Sequence, residues 1–229
     1  MENCVFCDKN NSPRDTIYQT DNFFVKIGLG LAAPGHVMLI PKEHYICFAD
    51  MSVKSRDEFE GLKNFVFDEV KKTFSEPFLV EYGPVAQTVA HAHLHFVPKK
   101  RQETPDYSGY EIKNIFQEMA IPQELITQPF SWPAMADLRQ KYGKYVFLQD
   151  GDQACLYSEA GSGLLLKKLC YRTFIAQNFQ LVDIPARWQE ITAEQLRIDA
   201  LKKQTTRDLL RFWFLRICIV GARPCARPY

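Results

Sequence analysis

The chain has 229 residues, 46% hydrophobic and 24% charged, the balance of a globular protein, which excludes disordered and collagen-like classes. Twenty-eight basic residues stand against 27 acidic ones for a net charge of +1, so no global field draws nucleic acid or an anionic membrane, and any phosphate recognition is local. Seven cysteines, an odd number, with no basic-then-apolar leader at Met1-Glu2-Asn3-Cys4, argue against a disulfide framework and point to a cytoplasmic protein with metal-binding or buried thiols.

Two short β-rich runs, 16–19 and 23–27, joined by Thr20-Asp21-Asn22, predict a hairpin. After a turn-rich stretch, 36–40 reads as a strand closed by Pro41. Phe59, Leu62, Val66 and Val70 recur at helical spacing, Ser55 with Glu58 suggests a capping box, and Pro77 ends the segment. Residues 78–81 and 91–97 read as two further strands. With four prolines and little periodicity between 99 and 143, that region reads as a linker. The runs 145–149 and 154–158 flank Asp150-Gly151-Asp152 as a second hairpin, followed by two helices. The first carries Leu164, Lys168, Tyr171 and Ile175 on one stripe, and the second opens at Thr192. The longest apolar stretch, 212–220, is broken by Arg216 and falls short of the roughly 20 residues a membrane span needs. The tail beyond Arg211 reads as an irregular extension. The predicted class is α+β: an antiparallel sheet with helices in a catalytic domain over 1–110, a linker over 111–143 and a smaller αβ extension over 144–229.

Five histidines occur, and three of them, His91, His93 and His95, alternate. On a strand this spacing projects three imidazoles from one face while Ala92, Leu94 and Phe96 enter a core. The run His91-Ala92-His93-Leu94-His95-Phe96-Val97 resembles the H-φ-H-φ-H-φ-φ signature of the histidine triad (HIT) superfamily. Pro34-Gly35-His36-Val37-Met38-Leu39-Ile40-Pro41-Lys42-Glu43-His44 and Gln87-Thr88-Val89 resemble that family's G-H strand and Q-[ST]-V lead-in. Glu81-Tyr82-Gly83-Pro84 is closest to a branch with a C-terminal extension, in which Arg172, Arg187 and Trp188 recur.

The resemblance implies a nucleotide hydrolase or transferase in which His93 attacks an α-phosphate to give a nucleotidyl-histidine. It assigns His95 and His36 to catalysis alongside it, and Gln87 and Thr88 to the phosphate. Gly28 stands at a ribose-binding position where many members carry an acid. Transferase members tend to have glutamine at the position of His95, so the histidine favours hydrolysis of a dinucleoside polyphosphate or nucleoside phosphoramidate. A nucleotidyltransferase and a catalytically weak nucleotide-binding adaptor are the competing readings.

Cys4-Val5-Phe6-Cys7 supplies half of a tetrahedral metal site. Zinc-containing members use residues at the positions of His44 and His91, so the resemblance implies one structural Zn²⁺ on Cys4, Cys7, His44 and His91. Cys47, Cys155 and Cys170 read as small hydrophobes. The expected partner is a nucleotide, with no membrane or general nucleic-acid partner, and the choice between monomer and homodimer is left open.

Overall fold

A computed structural model describes residues 4–8, 16–27, 35–101, 109–119 and 121–175, with 101, 110 and 171–175 as backbone only. The chain divides into two compact units, Met1–Ile184 and Pro185–Tyr229. The second lies wholly outside the described residues, as do the expected helix at Thr192, Arg187, Trp188 and the tail.

Strands β1 (Thr16–Gln19) and β2 (Phe23–Ile27) form the expected hairpin. Its turn is self-bonded, Thr20 Oγ1 accepting from the amides of Asn22 and Phe23. Strand β3 is Val37–Pro41 and helix α1 is Val53–Thr73. The helix starts earlier than the capping box predicts, because Ser52 is the cap and accepts from Ser55 N. Glu58 is thereby released to accept from Thr20 Oγ1 at 2.6 Å and Asn22 Nδ2 at 2.7 Å, clamping the hairpin turn to the helix. Strand β4 (Pro77–Glu81), the single turn α2 (Gly83–Ala86) and strand β5 (Leu94–Pro98) follow. The expected strand over 91–97 is shortened at its start. Ahead of Leu94 the backbone bonds elsewhere, Ala92 N to Tyr45 O and His91 N to Val89 O, each at 2.7 Å.

Residues 111–143, expected as a linker, hold regular structure. After the small ribbon β6 (Lys100–Arg101) and β7 (Tyr110–Glu111) come α3 (Ile115–Glu118), β8 (Ile126–Pro129) and α4 (Trp132–Tyr142). Asn114 and Ser131 cap the two helices, and Pro133 sits in the first turn of α4, where its missing N–H costs nothing. Strands β9 (Val146–Asp150) and β10 (Gln153–Ser158) form the second hairpin, and α5 spans Leu164–Ile175. Among the described side chains its buried residues are Leu166, Leu169 and Cys170, whereas Leu164 and Lys168 of the predicted stripe are exposed; the side chains of Tyr171 and Ile175 lie outside the described residues. Three consecutive leucines fit more than one helical register.

Eight strands make one antiparallel sheet in the order β1-β2-β3-β5-β4-β9-β10-β8. Strand β9 pairs with β4, Val80 opposite Leu148, so the expected extension continues the sheet that carries the histidines. Side-chain alternation gives the sheet two faces. One packs Phe23, Val25, Leu39, Leu79, Leu94, Phe96 and Phe147 against α1 and α4. The other carries Phe24, Met38 and Ile40 at one end and Phe78, Val80, Val97, Leu148 and Tyr157 with α3 and α5 at the other. His95, opposite both Met38 and Val80, falls between these clusters. The site is therefore a polar gap in an otherwise apolar face.

Candidate active site and metal centre

Four histidines meet at this gap, all nearly inaccessible: His36, His91, His93 and His95. His93 Nδ1 lies 2.6 Å from the His91 carbonyl oxygen. A carbonyl only accepts, so Nδ1 carries the proton and Nε2 keeps its lone pair. Burial holds His93 below the usual imidazole range, partly opposed by that hydrogen bond. His36 Nε2 and His95 Nδ1 are 2.9 Å apart. Burial, then the charge of His93, lowers His36 to about 3, and burial with both neighbouring histidines lowers His95 strongly. These rings are neutral at physiological pH, the form a nucleophile requires.

Two aromatic residues bracket the group. Phe6 stands 5.6 Å from the ring of His93, and Tyr82 stands 5.5 Å from that of His95. Neither emerges as a site residue from the sequence, where Phe6 enters only between the two cysteines and Tyr82 only within the run Glu81-Tyr82-Gly83-Pro84. Gly83, at φ +51°, lies where an added Cβ would overlap the Tyr145 carbonyl oxygen, so the chain leaving β4 can pass β9 this closely only as glycine.

The remaining predicted residues divide. Gln87 is half-buried and spends its Nε2 on Ile46 O at 2.8 Å, while its Oε1 is buried without a hydrogen-bond partner among the described residues. Thr88 is exposed. Gly28 lies outside the described residues. Cys47 is buried in the core and its thiol donates to Asp50, Cys170 is buried, and Cys155 is only half-buried.

Cys4, Cys7, His44 and His91 converge at the edge of the gap, their ligand atoms all within 4.8 Å of one another. Cys4 Sγ lies 3.4 Å from His91 Nδ1, and Cys7 Sγ lies 3.3 Å from His44 Nδ1 and 3.4 Å from His91 Nδ1. Zn–S bonds of about 2.3 Å and Zn–N bonds of about 2.0 Å set S···N edges of roughly 3.5 Å in a tetrahedron. The spacing fits that ion. His91 Nε2 is 2.8 Å from Pro41 O and so bears the proton, leaving Nδ1 as a donor atom. Burial lowers His91 to about 4, keeping it neutral, and burial followed by the adjacent Cys4 pushes the Cys7 thiol up to about 11. A divalent cation reverses that cost by taking the thiolate.

The loop that delivers His44 is pinned from below. Phe48 N and Tyr145 Oη both donate to the buried Glu81 carboxyl at 2.8 Å, and Ala49 N donates to Tyr145 Oη at 3.1 Å. Burial raises Glu81 to about 8. Unfolded, the group releases its proton near 4.5, so its contribution to stability is complete below that pH and is lost as pH rises toward 8. Glu81→Gln, permanently neutral, is expected to melt close to wild type at pH 5 and on the order of 5 °C above it, relative to that reference, at pH 8. Parallel melting curves at the two pH values would show that Glu81 does not titrate there.

The family model for the HIT domain matches residues 9–102, the segment holding His36, His44 and the three alternating histidines. Residues 9–102 form a domain of the HIT superfamily. An uncharacterised HIT-like protein of Methanocaldococcus jannaschii is 27% identical over 118 residues, 49% of this chain and 91% of its own length. A second, from Mycoplasma genitalium, is 28% identical over 115 residues, 48% of this chain and 80% of its own. Among solved structures, a zinc-bound histidine triad family protein from Mycobacterium smegmatis aligns at 23% identity and a TM-score of 0.39, covering 49% of this chain and 85% of its own. A HIT family hydrolase from Clostridium thermocellum aligns at 25% and 0.39, covering 45% and 96%. HIT proteins are in general nucleotide hydrolases and transferases. Among the described residues no helix is long and apolar enough to cross a membrane.

Proposed function

We propose that the chain hydrolyses a nucleoside phosphate derivative, a dinucleoside polyphosphate or a nucleoside phosphoramidate, through a nucleotidyl-His93 intermediate, in the cytoplasm. The observation that carries this reading is the His93 Nδ1 to His91 O contact of 2.6 Å. With Nδ1–H committed to the carbonyl, the Nε2 lone pair attacks the α-phosphorus, the bond to the leaving group breaks, and the ring becomes an N-phosphoryl imidazolium that keeps its Nδ1 proton. In this reading His36 Nε2–H donates to His95 Nδ1, which leaves the single proton of neutral His95 on Nε2, where it hydrogen-bonds a phosphoryl oxygen and steadies the charge that develops there. Water then attacks phosphorus and releases a proton, which balances through solvent the leaving group expelled in the first step, and the P–N electron pair returns to His93, leaving it neutral with its Nδ1 proton. The reading assigns Gln87 and Thr88 to the phosphate, and Gly28, which lies outside the described residues, to the sugar. Cys4, Cys7, His44 and His91 would hold one zinc, which supplies a structural cross-link and no chemistry on the substrate.

Incubation with α-labelled nucleotide tests the reading: label on His93 followed by release of free monophosphate supports it. Transfer to an added acceptor would make the protein a transferase, and absence of any labelled protein would make it a binder. His95→Gln is expected to slow breakdown of the labelled intermediate about tenfold more than its formation, as single-turnover kinetics resolve. Equal slowing of both steps would remove His95 as the residue that favours hydrolysis.

A further inference from the structure

The two cysteines enclose a side chain that belongs to the active site. Cys7 N and Asp8 N both donate to Cys4 O at 3.0 Å, forming a tight turn with Phe6 inside it. Phe6 is 4% exposed and packs with Phe24, Met38 and Ile40, against which Cys4 and Val89 also lie. Its ring centroid is 5.6 Å from that of His91, at an interplanar angle of 89°, and 5.6 Å from that of His93, at 67°. One phenyl ring thus touches a metal-site histidine and the proposed nucleophile.

What needs holding at His93 is the rotation of its ring. The χ2 torsion of histidine is soft and roughly two-fold, so nothing in the side chain itself keeps Nδ1 on the His91 carbonyl and Nε2 toward substrate. Among the described residues its hydrogen-bond and ring-to-ring partners are three: the His91 carbonyl that takes the Nδ1–H bond, the His95 ring at 4.8 Å and 73°, and Phe6. The first two come from the segment 91–95 itself and move with it. Of these three, Phe6 is the one that reaches His93 from a distant part of the chain, and an aromatic pair is of the same order of strength as the net worth of one neutral hydrogen bond.

We infer that Phe6 is the positioning residue for His93, and that the Cys4–Cys7 turn, by carrying Phe6, couples the metal site to the readiness of the nucleophile. The kinetic part of this inference rests on the proposed nucleotidyl-His93 chemistry, whereas the orientation of the ring does not.

The test uses full-length protein, wild type and the variants Phe6→Ala and Phe6→Tyr, with three readouts: zinc per chain, kcat and KM on a nucleoside 5′-phosphoramidate, and the His93 tautomer from two-bond ¹⁵N–¹H spectra at neutral pH. Wild type is expected to show His93 as the Nδ1–H tautomer alone. Phe6→Ala should keep its zinc, show both tautomers, and lose about 10- to 100-fold in kcat with KM within about threefold, the scale on which a small misplacement acts. Phe6→Tyr should return both tautomer and kcat to wild-type values. A single Nδ1–H tautomer with unchanged kcat in Phe6→Ala overturns the inference, as does a tyrosine variant impaired as far as alanine. Should alanine shed the metal, Phe6→Leu, which keeps the apolar volume, decides in the same way with zinc retained. If wild type turns over no nucleoside phosphate derivative, the proposed function fails while the spectra still decide whether Phe6 sets the ring.

Discussion

His93→Ala is expected to lower turnover by about four powers of ten while leaving the circular dichroism spectrum and bound metal at wild-type values. The size follows from losing a nucleophile rather than an auxiliary contact, because the single-displacement route that remains lacks its covalent partner. The fold should survive because His93 meets the cluster of Phe6, Phe24, Met38 and Ile40 through the Phe6 ring, an edge contact that leaves their mutual packing in place, and its hydrogen bond among the described residues is local, to the carbonyl of His91. Retention of more than about a tenth of wild-type activity would exclude the covalent route.

Replacing Cys4, Cys7, His44 or His91 by alanine is expected to reduce zinc from about one per chain to nearly none and to lower the melting temperature by on the order of 10 °C, since metal binding energy at such a site is folding energy. The four ligand atoms come from three separated stretches, the N-terminal turn, the loop after β3 and the approach to β5. Loss of any one frees all three. Elemental analysis and thermal melts check this, with His93→Ala as the contrast two residues away on the same segment. Full metal content and unchanged melting in His91→Ala would return His91 to the substrate pocket.

How far the residues announce this arrangement depends on the range of the interaction. The hairpin 16–27 is predicted residue for residue because its signals, β-branched and aromatic runs around a Thr-Asp-Asn turn, are local. The three-histidine alternation is local too, and locates the site. The start of β5 is not, because Tyr45 O, 47 residues before Ala92, captures the backbone that a ladder would otherwise use. Likewise β8 is only four residues long, ends on Pro129 and is an edge strand paired to β10, so its existence depends on a partner that no local pattern reveals. The convergence of His44 and His91 on the cysteine pair is legible only through the family resemblance. The direction of Phe6 within the turn was beyond reach, since a C-x-x-C pair constrains its sulfurs and says nothing of the residues between.

The pairing of β9 with β4 separates inheritance from folding. The family domain ends at residue 102, yet its strand Pro77–Glu81 is buried at every position and finds its outer neighbour in Val146–Asp150. A chain trimmed to the family boundary would present that strand as a bare, apolar edge, the kind that recruits other chains. The family match and the hydrogen-bonded sheet therefore have different borders in this molecule. In this chain the later hairpin covers the edge of the strand next to β5, so substitutions in 146–158 act on the sheet that holds His95.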